Sequence, residues 1–147
     1  MKNNFIPYEI ALELKNLNFN EPCFAYYKTS NKLKKGYRLR YVEHEDTNPT
    51  KQPLLNNDCL APLYQQVFEF FRNKYNLFSN IFQLTYYDKK YNSRNNKFAC
   101  EITEIKNSNT VLYANDVLKC TNKSYKTYRE AELECIKHLI KIVQNEQ

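Results

Sequence analysis

The sequence predicts an α+β fold in which an antiparallel sheet carries about three helices packed largely on one face. Three observations point there. Apolar residues recur at helical spacing in separate stretches that open with a proline or a capping box; short runs of aromatic and β-branched residues lie between them; and Asn-rich turns separate the later runs. The 147 residues suit a single compact domain over 1–147, with possible halves 1–46 and 59–147 joined by a connector at 47–58.

The first helix is expected from Pro7 to Leu17, where Ile10, Leu14 and Leu17 share a face and proline is tolerated in the first turn. Pro22 breaks the chain. Cys23 to Tyr27 and Tyr37 to His44 then read as two strands of a hairpin, because Tyr37, Leu39 and Tyr41 alternate with Arg38, Arg40 and Val42. Between them a loop carries Lys28, Lys32, Lys34 and Lys35 and ends at Gly36, which can adopt the positive φ that a turn needs. Glu45 to Asp58, with Pro49 and Pro53, reads as an exposed connector.

Pro62 opens a second helix reaching about Asn76, with Leu63, Val67, Phe70, Phe71 and Tyr75 on one broad face. Three strands follow as an antiparallel meander: Ser79 to Tyr87, Lys97 to Ile105, and Thr110 to Ala114, the last prolonged through Val117 to Cys120. The final helix is expected from Tyr128 to about Val143. Thr127 and Glu130 have the capping-box spacing ahead of it, and Ala131, Cys135, Leu139 and Ile142 should be buried together.

Composition removes several functions. Gly36 is the single glycine, so glycine-dependent sites such as the P-loop and the dinucleotide fingerprint are excluded. No apolar run of about 18 residues exists, and Met1-Lys2-Asn3-Asn4-Phe5 leads into no long apolar stretch, so no membrane partner and a cytoplasmic location are expected. Cysteines at 23, 59, 100, 120 and 135 form no Cys-x-x-Cys pair and are expected to be reduced. The 22 Lys+Arg against 16 Asp+Glu give a net charge of +6. Twenty asparagines and seventeen lysines against five arginines suggest an AT-rich coding genome, so this basicity permits nucleic-acid binding without diagnosing it.

Catalytic and metal chemistry find little support. Cys135 and His138 have a spacing that can bring two ligands together, but a structural metal site needs about two more. Cys100, Cys120 and His44 offer no second short-spaced pair, and the better account is a core cysteine beside a partly exposed histidine. A cysteine nucleophile would need His44 or His138 as its base, and the second half of a helix does not favour a thiolate. His44-Glu45-Asp46 reads as a solvated acidic turn. No cofactor is expected. The phenylalanines are assigned to the core, and the thirteen tyrosines are divided between core and surface.

Two basic patches remain, Lys28 to Arg40 and the loop Asp88 to Lys97 with Lys89, Lys90, Arg94 and Lys97. With Lys123, Lys126 and Arg129 they would make a continuous positive surface if the strands lie in one sheet. Candidate binding residues are therefore Lys34, Lys35, Arg38, Arg40, Lys89, Lys90, Arg94, Lys123, Lys126, Tyr128 and Arg129.

The second half, helix, three strands, helix, is similar in order to a double-stranded RNA-binding domain. In that family a lysine cluster opening the final helix meets phosphates across the RNA major groove, and the matching stretch here is Lys123-Ser124-Tyr125-Lys126-Thr127-Tyr128-Arg129. The lysines are separated and the strand turns lack glycine. The chain also resembles a family of small uncharacterised proteins from phages and mobile elements of Bacteroidetes. The residues carrying this are Pro7-Tyr8-Glu9-Ile10-Ala11, Asn20-Glu21-Pro22-Cys23-Phe24, Asp58-Cys59-Leu60-Ala61-Pro62, Phe71-Arg72-Asn73-Lys74-Tyr75-Asn76-Leu77 and Thr127-Tyr128-Arg129-Glu130-Ala131. This resemblance implies a small intracellular accessory protein of viral or plasmid origin, a class that includes host-defence inhibitors such as anti-CRISPR proteins, and the protein is read as a non-enzymatic one. The expected partner is a nucleic acid or a host nucleoprotein complex, whose surface the protein would block. The alternative is a protein-only interaction or assembly module anchored by exposed tyrosines.

Overall fold

Two antiparallel sheets organise the chain, where the sequence reading places the strands in one. The computed structural model describes residues 4–29, 36–42, 57–88, 93–105, 117–118 and 124–145, with backbone alone for 86–88, 93–95 and 117–118. Its elements run α1 (Tyr8–Asn16), β1 (Ala25–Thr29), β2 (Tyr37–Tyr41), β3 (Cys59–Leu60), α2 (Tyr64–Tyr75), β4 (Leu77–Asp88), β5 (Ser93–Glu104), β6 (Val117–Leu118) and α3 (Tyr128–Asn145), an α+β arrangement. The sheets have the orders β2-β1-β3 and β4-β5-β6. The chain divides into two compact units, Met1–Phe70 and Phe71–Gln147, each with one sheet.

In the first unit β1 is the central strand. Tyr26 pairs with Arg40 on one side and Leu60 on the other. The Ala61 N–H adds one more bond to the Ala25 carbonyl at 2.9 Å, and Pro62, with no N–H, ends the ladder. β3 is a two-residue strand that the sequence reading leaves unassigned; both residues are buried, and two residues are too few to show an alternation. β1 also starts and ends two residues later than expected. Its end is held by Asp58, whose Oδ1 accepts the Thr29 N–H at 2.7 Å and the Thr29 hydroxyl at 2.8 Å. Lys28 consequently sits on the strand and not in the loop. Gly36 takes φ 70°, as its place at the turn requires.

α1 and the segment before it cover the β1–β2 side that carries Ala25, Tyr27, Tyr37, Leu39 and Tyr41. The Tyr8 ring stacks on Tyr37 at 4.3 Å and meets Tyr27 edge-on at 5.6 Å. The Tyr27 hydroxyl donates to the Ile6 carbonyl at 2.7 Å, and Phe5 lies edge-on to Tyr41. Ile6, Leu14 and Val67 are completely buried in this unit, each stabilising it by about 1.5–3 kcal/mol. α1 ends where Asn18 takes φ 59°, a left-handed conformation that asparagine tolerates well.

In the second unit Asn76, at φ 54°, turns the end of α2 into β4. β4 and β5, twelve residues each, form a hairpin paired from Leu77↔Glu104 to Asp88↔Ser93. Arg94 and Lys97, expected in a loop, therefore lie on β5. Ser93-Arg94-Asn95-Asn96-Lys97 has no apolar alternation to announce a strand; the backbone ladder with β4 makes it one. β6 pairs with Ile102 and Thr103, while the expected stretch Thr110 to Ala114 lies outside the described residues. Tyr125 then exchanges two backbone bonds with Phe98, at 2.7 and 2.8 Å, which pins the approach to α3 against β5.

α3 packs on the side of β4–β5 bearing Leu77, Cys100 and Ile102, all buried. Its own buried stripe is Ala131, Cys135, Ile136, Leu139, Ile140 and Val143, broader than expected, and Ile142 lies half-buried at its margin. The capping box forms as the spacing predicts. The Glu130 N–H donates to the Thr127 hydroxyl oxygen at 3.1 Å, and the Glu130 carboxylate accepts the Lys126 and Thr127 N–H groups.

Candidate nucleic-acid interface

Because β1 and β2 are antiparallel, residues opposite one another share a face, and the face turned away from α1 collects Tyr26, Lys28, Arg38 and Arg40. Lys28 stands opposite Arg38 and Tyr26 opposite Arg40. The ladder continues one step further, with the Val42 N–H donating to the Phe24 carbonyl at 2.9 Å, so Phe24 and Val42 extend the same face. Phe24 is 68% exposed, Lys28, Arg38 and Arg40 are exposed, and Tyr26 is half-buried beside Leu60. β1 and β2 carry three cations and no carboxylate. A phenyl ring at this exposure is costly in water and overturns the assignment of the phenylalanines to the core. Phe78 and Phe82, both partly exposed on β4, overturn it again.

Arg38 and Arg40 are thus brought together, and three partners join them that the list of candidates lacks. From sequence Lys28 falls in the basic loop, Tyr26 in an adjacent tyrosine pair and Phe24 among the core phenylalanines. The signal that finds them is the register. Once Arg38 and Arg40 are placed outward, antiparallel pairing fixes Lys28 and Tyr26 on their side.

The start of α3 presents a different picture. Lys126, Tyr128 and Arg129 are exposed there, and Tyr128 also meets Phe98 edge-on at 5.8 Å. A carboxylate of this chain already lies at the helix N-terminus, since Glu130 accepts the Lys126 and Thr127 N–H groups just ahead of α3. Arg129 Nη1 lies 3.0 Å from Glu132 Oε2. A phosphate arriving here meets these two carboxylates, and this reduces the attraction that a helix N-terminus otherwise offers. Lys34, Lys35, Lys89, Lys90 and Lys123 lie outside the described residues. Arg94 stands opposite Tyr87 in the β4–β5 register. With two sheets in place of one, the condition for a continuous positive surface is not met.

The side of β4–β5 turned away from α3 bears Phe78, Asn80, Phe82 and Leu84, opposite Thr103, Glu101, Ala99 and Lys97. Phe78, Phe82 and Leu84 are each exposed by close to two-fifths. Lys97 and Glu101 balance in charge.

Cys23, Cys59, Cys100 and Cys135 are buried. Burial, with Glu21 nearby, pushes the Cys23 thiol up to about 12; burial outweighs Lys15 and does the same to Cys59. His138 is half-exposed on α3, while His44 and Cys120 lie outside the described residues. Among the described residues no three His, Cys, Asp or Glu side chains group closely enough to hold a metal ion, and no helix is long and apolar enough to cross a membrane. Comparison with protein-family models, curated proteins and solved structures finds no match for the chain.

Proposed function

We propose that the protein is a non-enzymatic binding protein that contacts nucleic acid through the outward face of β1–β2. One observation carries the reading: Lys28, Arg38 and Arg40 share a sheet face with Tyr26 and Phe24, and neither β1 nor β2 contains a carboxylate. Cations supply attraction to phosphate whatever the sequence, and rings add contact that salt does not screen. Two cysteines held as thiols by burial also favour binding over nucleophilic chemistry. The resemblance to small proteins of phages and mobile elements extends the proposal: the protein blocks the nucleic-acid surface of a host nucleoprotein complex, as inhibitors of host defence do.

Binding to mixed-sequence RNA and DNA, measured against salt, tests the reading. Replacing Lys28, Arg38 and Arg40 together with glutamine should flatten the plot of log affinity against log salt by about 2 to 3, since each neutralised phosphate contributes about 0.7 for single strands and 0.9 for duplexes. A Lys126→Gln, Arg129→Gln variant is the comparison and should change the slope less, because those cations already stand beside Glu130 and Glu132; a larger loss on duplex RNA from this variant would instead favour the likeness to a double-stranded RNA-binding domain. Absent or salt-insensitive binding of the wild type at low ionic strength overturns the proposal.

A second reading, an assembly module, is favoured by β4. This edge strand has no charged residue from Leu77 to Tyr87 and presents Phe78, Phe82 and Leu84 on one face, and among the described residues no strand pairs with its outer edge. Edge strands usually carry a charge or proline against pairing. A second copy would add its own β4 antiparallel to this one and cover these rings about a two-fold axis. Sedimentation should then show a dimer that Phe82→Lys converts to monomer; a wild-type monomer at all concentrations sinks this reading.

A further inference from the structure

We infer that the β1–β2 face selects single-stranded over duplex nucleic acid by stacking unpaired bases on Phe24 and Tyr26. The inference rests on the nucleic-acid reading above and names its ligand class. Phe24, the residue before β1, is joined to the ladder by the Val42 N–H donating to its carbonyl, and Tyr26 follows two residues on, so their side chains emerge on the same side, about 7 Å apart for extended backbone. Successive nucleotides of a duplex strand are only about 3.4 Å apart, and each base face is already covered by its neighbours. A duplex therefore offers these rings no free base. A single strand can splay two bases to the wider spacing and lay one on each ring.

The neighbours of the rings suit such a strand. Arg40 stands opposite Tyr26, where its guanidinium can meet the phosphate between the two bases or cover the second base from above. Lys28 and Arg38 lie one step further along, about 7 Å from the Tyr26 row, and continue the cationic track for the backbone. Leu60, buried on the other side of Tyr26, gives that ring a firm footing. Phe24 has the opposite character. At 68% exposed it contributes little to the core, and its position is explained by contact with a ligand.

The chain contains no tryptophan, which makes a direct test available. Phe24→Trp installs the one tryptophan of the chain at the proposed stacking position, excited selectively over the thirteen tyrosines, and a base laid on the indole quenches it. Twelve-nucleotide single-stranded RNA, single-stranded DNA and the corresponding duplexes are titrated against this variant, the wild type and Phe24→Ala. Both single strands should quench the tryptophan and bind at least about fivefold more tightly to the wild type than to Phe24→Ala, at low and at high salt. Duplexes should bind Phe24→Ala and wild type equally and leave the tryptophan bright. A difference between the RNA and DNA arms identifies which of the two the face prefers.

Since Phe24 is exposed, its replacement should leave the unfolding transition unchanged, and this is checked on each variant. Salt-dependent binding of single strands and duplexes alike, with no quenching and no loss in Phe24→Ala, overturns the stacking inference and leaves the nucleic-acid reading standing. No binding of any of these ligands at low salt removes both.

Discussion

The outward face of β1–β2 carries Lys28, Arg38 and Arg40 between aromatic rings, while the outward face of β4–β5 carries Phe78, Phe82 and Leu84 beside a balanced Lys97 and Glu101. The other side of β4–β5 is covered by α3, and that of β1–β2 by Phe5, Ile6 and the Tyr8 ring at the start of α1. Two hairpins covered on one side thus end in different surfaces. A half-covered antiparallel sheet must give one face to water, and the residues on that face are free of packing constraints. What they are made of then sets what each face attracts physically: anions by charge in the first case, apolar surface in the second.

The contrast between the covered and open sides is sharpest in the second unit. Leu139 is completely buried on α3, so Leu139→Ala removes packed volume and should cost about 2 to 5 kcal/mol. Phe82 is more than a third exposed on the other side of the sheet, and Phe82→Ser should stay within about 1 kcal/mol. Denaturant midpoints of the two variants decide it. A Leu139→Ala midpoint equal to the wild type would show that this face of α3 is no core, and a large loss from Phe82→Ser would show that the open face is packed in solution.

Much of this architecture was legible because helices announce themselves. Proline at the start of α1, the Thr127–Glu130 box and the apolar spacing of α2 place all three helices to within about two residues. Strands were less legible where their residues did not alternate. β3 has two residues, and the far half of β5 is polar, so only pairing reveals either. The candidate site was half legible for the same reason. Arg38 and Arg40 show their side by alternation with Tyr37, Leu39 and Tyr41, but the residues across from them depend on register, which no local pattern encodes. Phe24 shows a further limit. An isolated aromatic reads as core by default, and only its exposure contradicts that.

The smallest expected effect concerns the two carboxylates buried among the described residues, one in each unit. Asp58 accepts two hydrogen bonds from Thr29, so its buried oxygen is well supplied. Glu132 on α3 is buried with Arg129 3.0 Å away, and burial raises its carboxyl above the ordinary carboxylate range despite that guanidinium. A carboxyl that holds its proton more tightly when folded favours folding while protonated. Its contribution is complete below the ordinary glutamate value of about 4.3 and is lost as pH rises through the raised folded value. Glu132→Gln keeps the shape and removes the titration. Wild type should therefore lose stability relative to Glu132→Gln as pH rises across this window, and Arg129→Gln, which takes away the opposing charge, should steepen the loss. Unfolding curves collected at a series of pH values give the comparison directly. If wild type and Glu132→Gln run parallel from acid to neutral pH, the carboxylate is solvated in the folded protein, and the covered side of the second unit is wetter than that of the first.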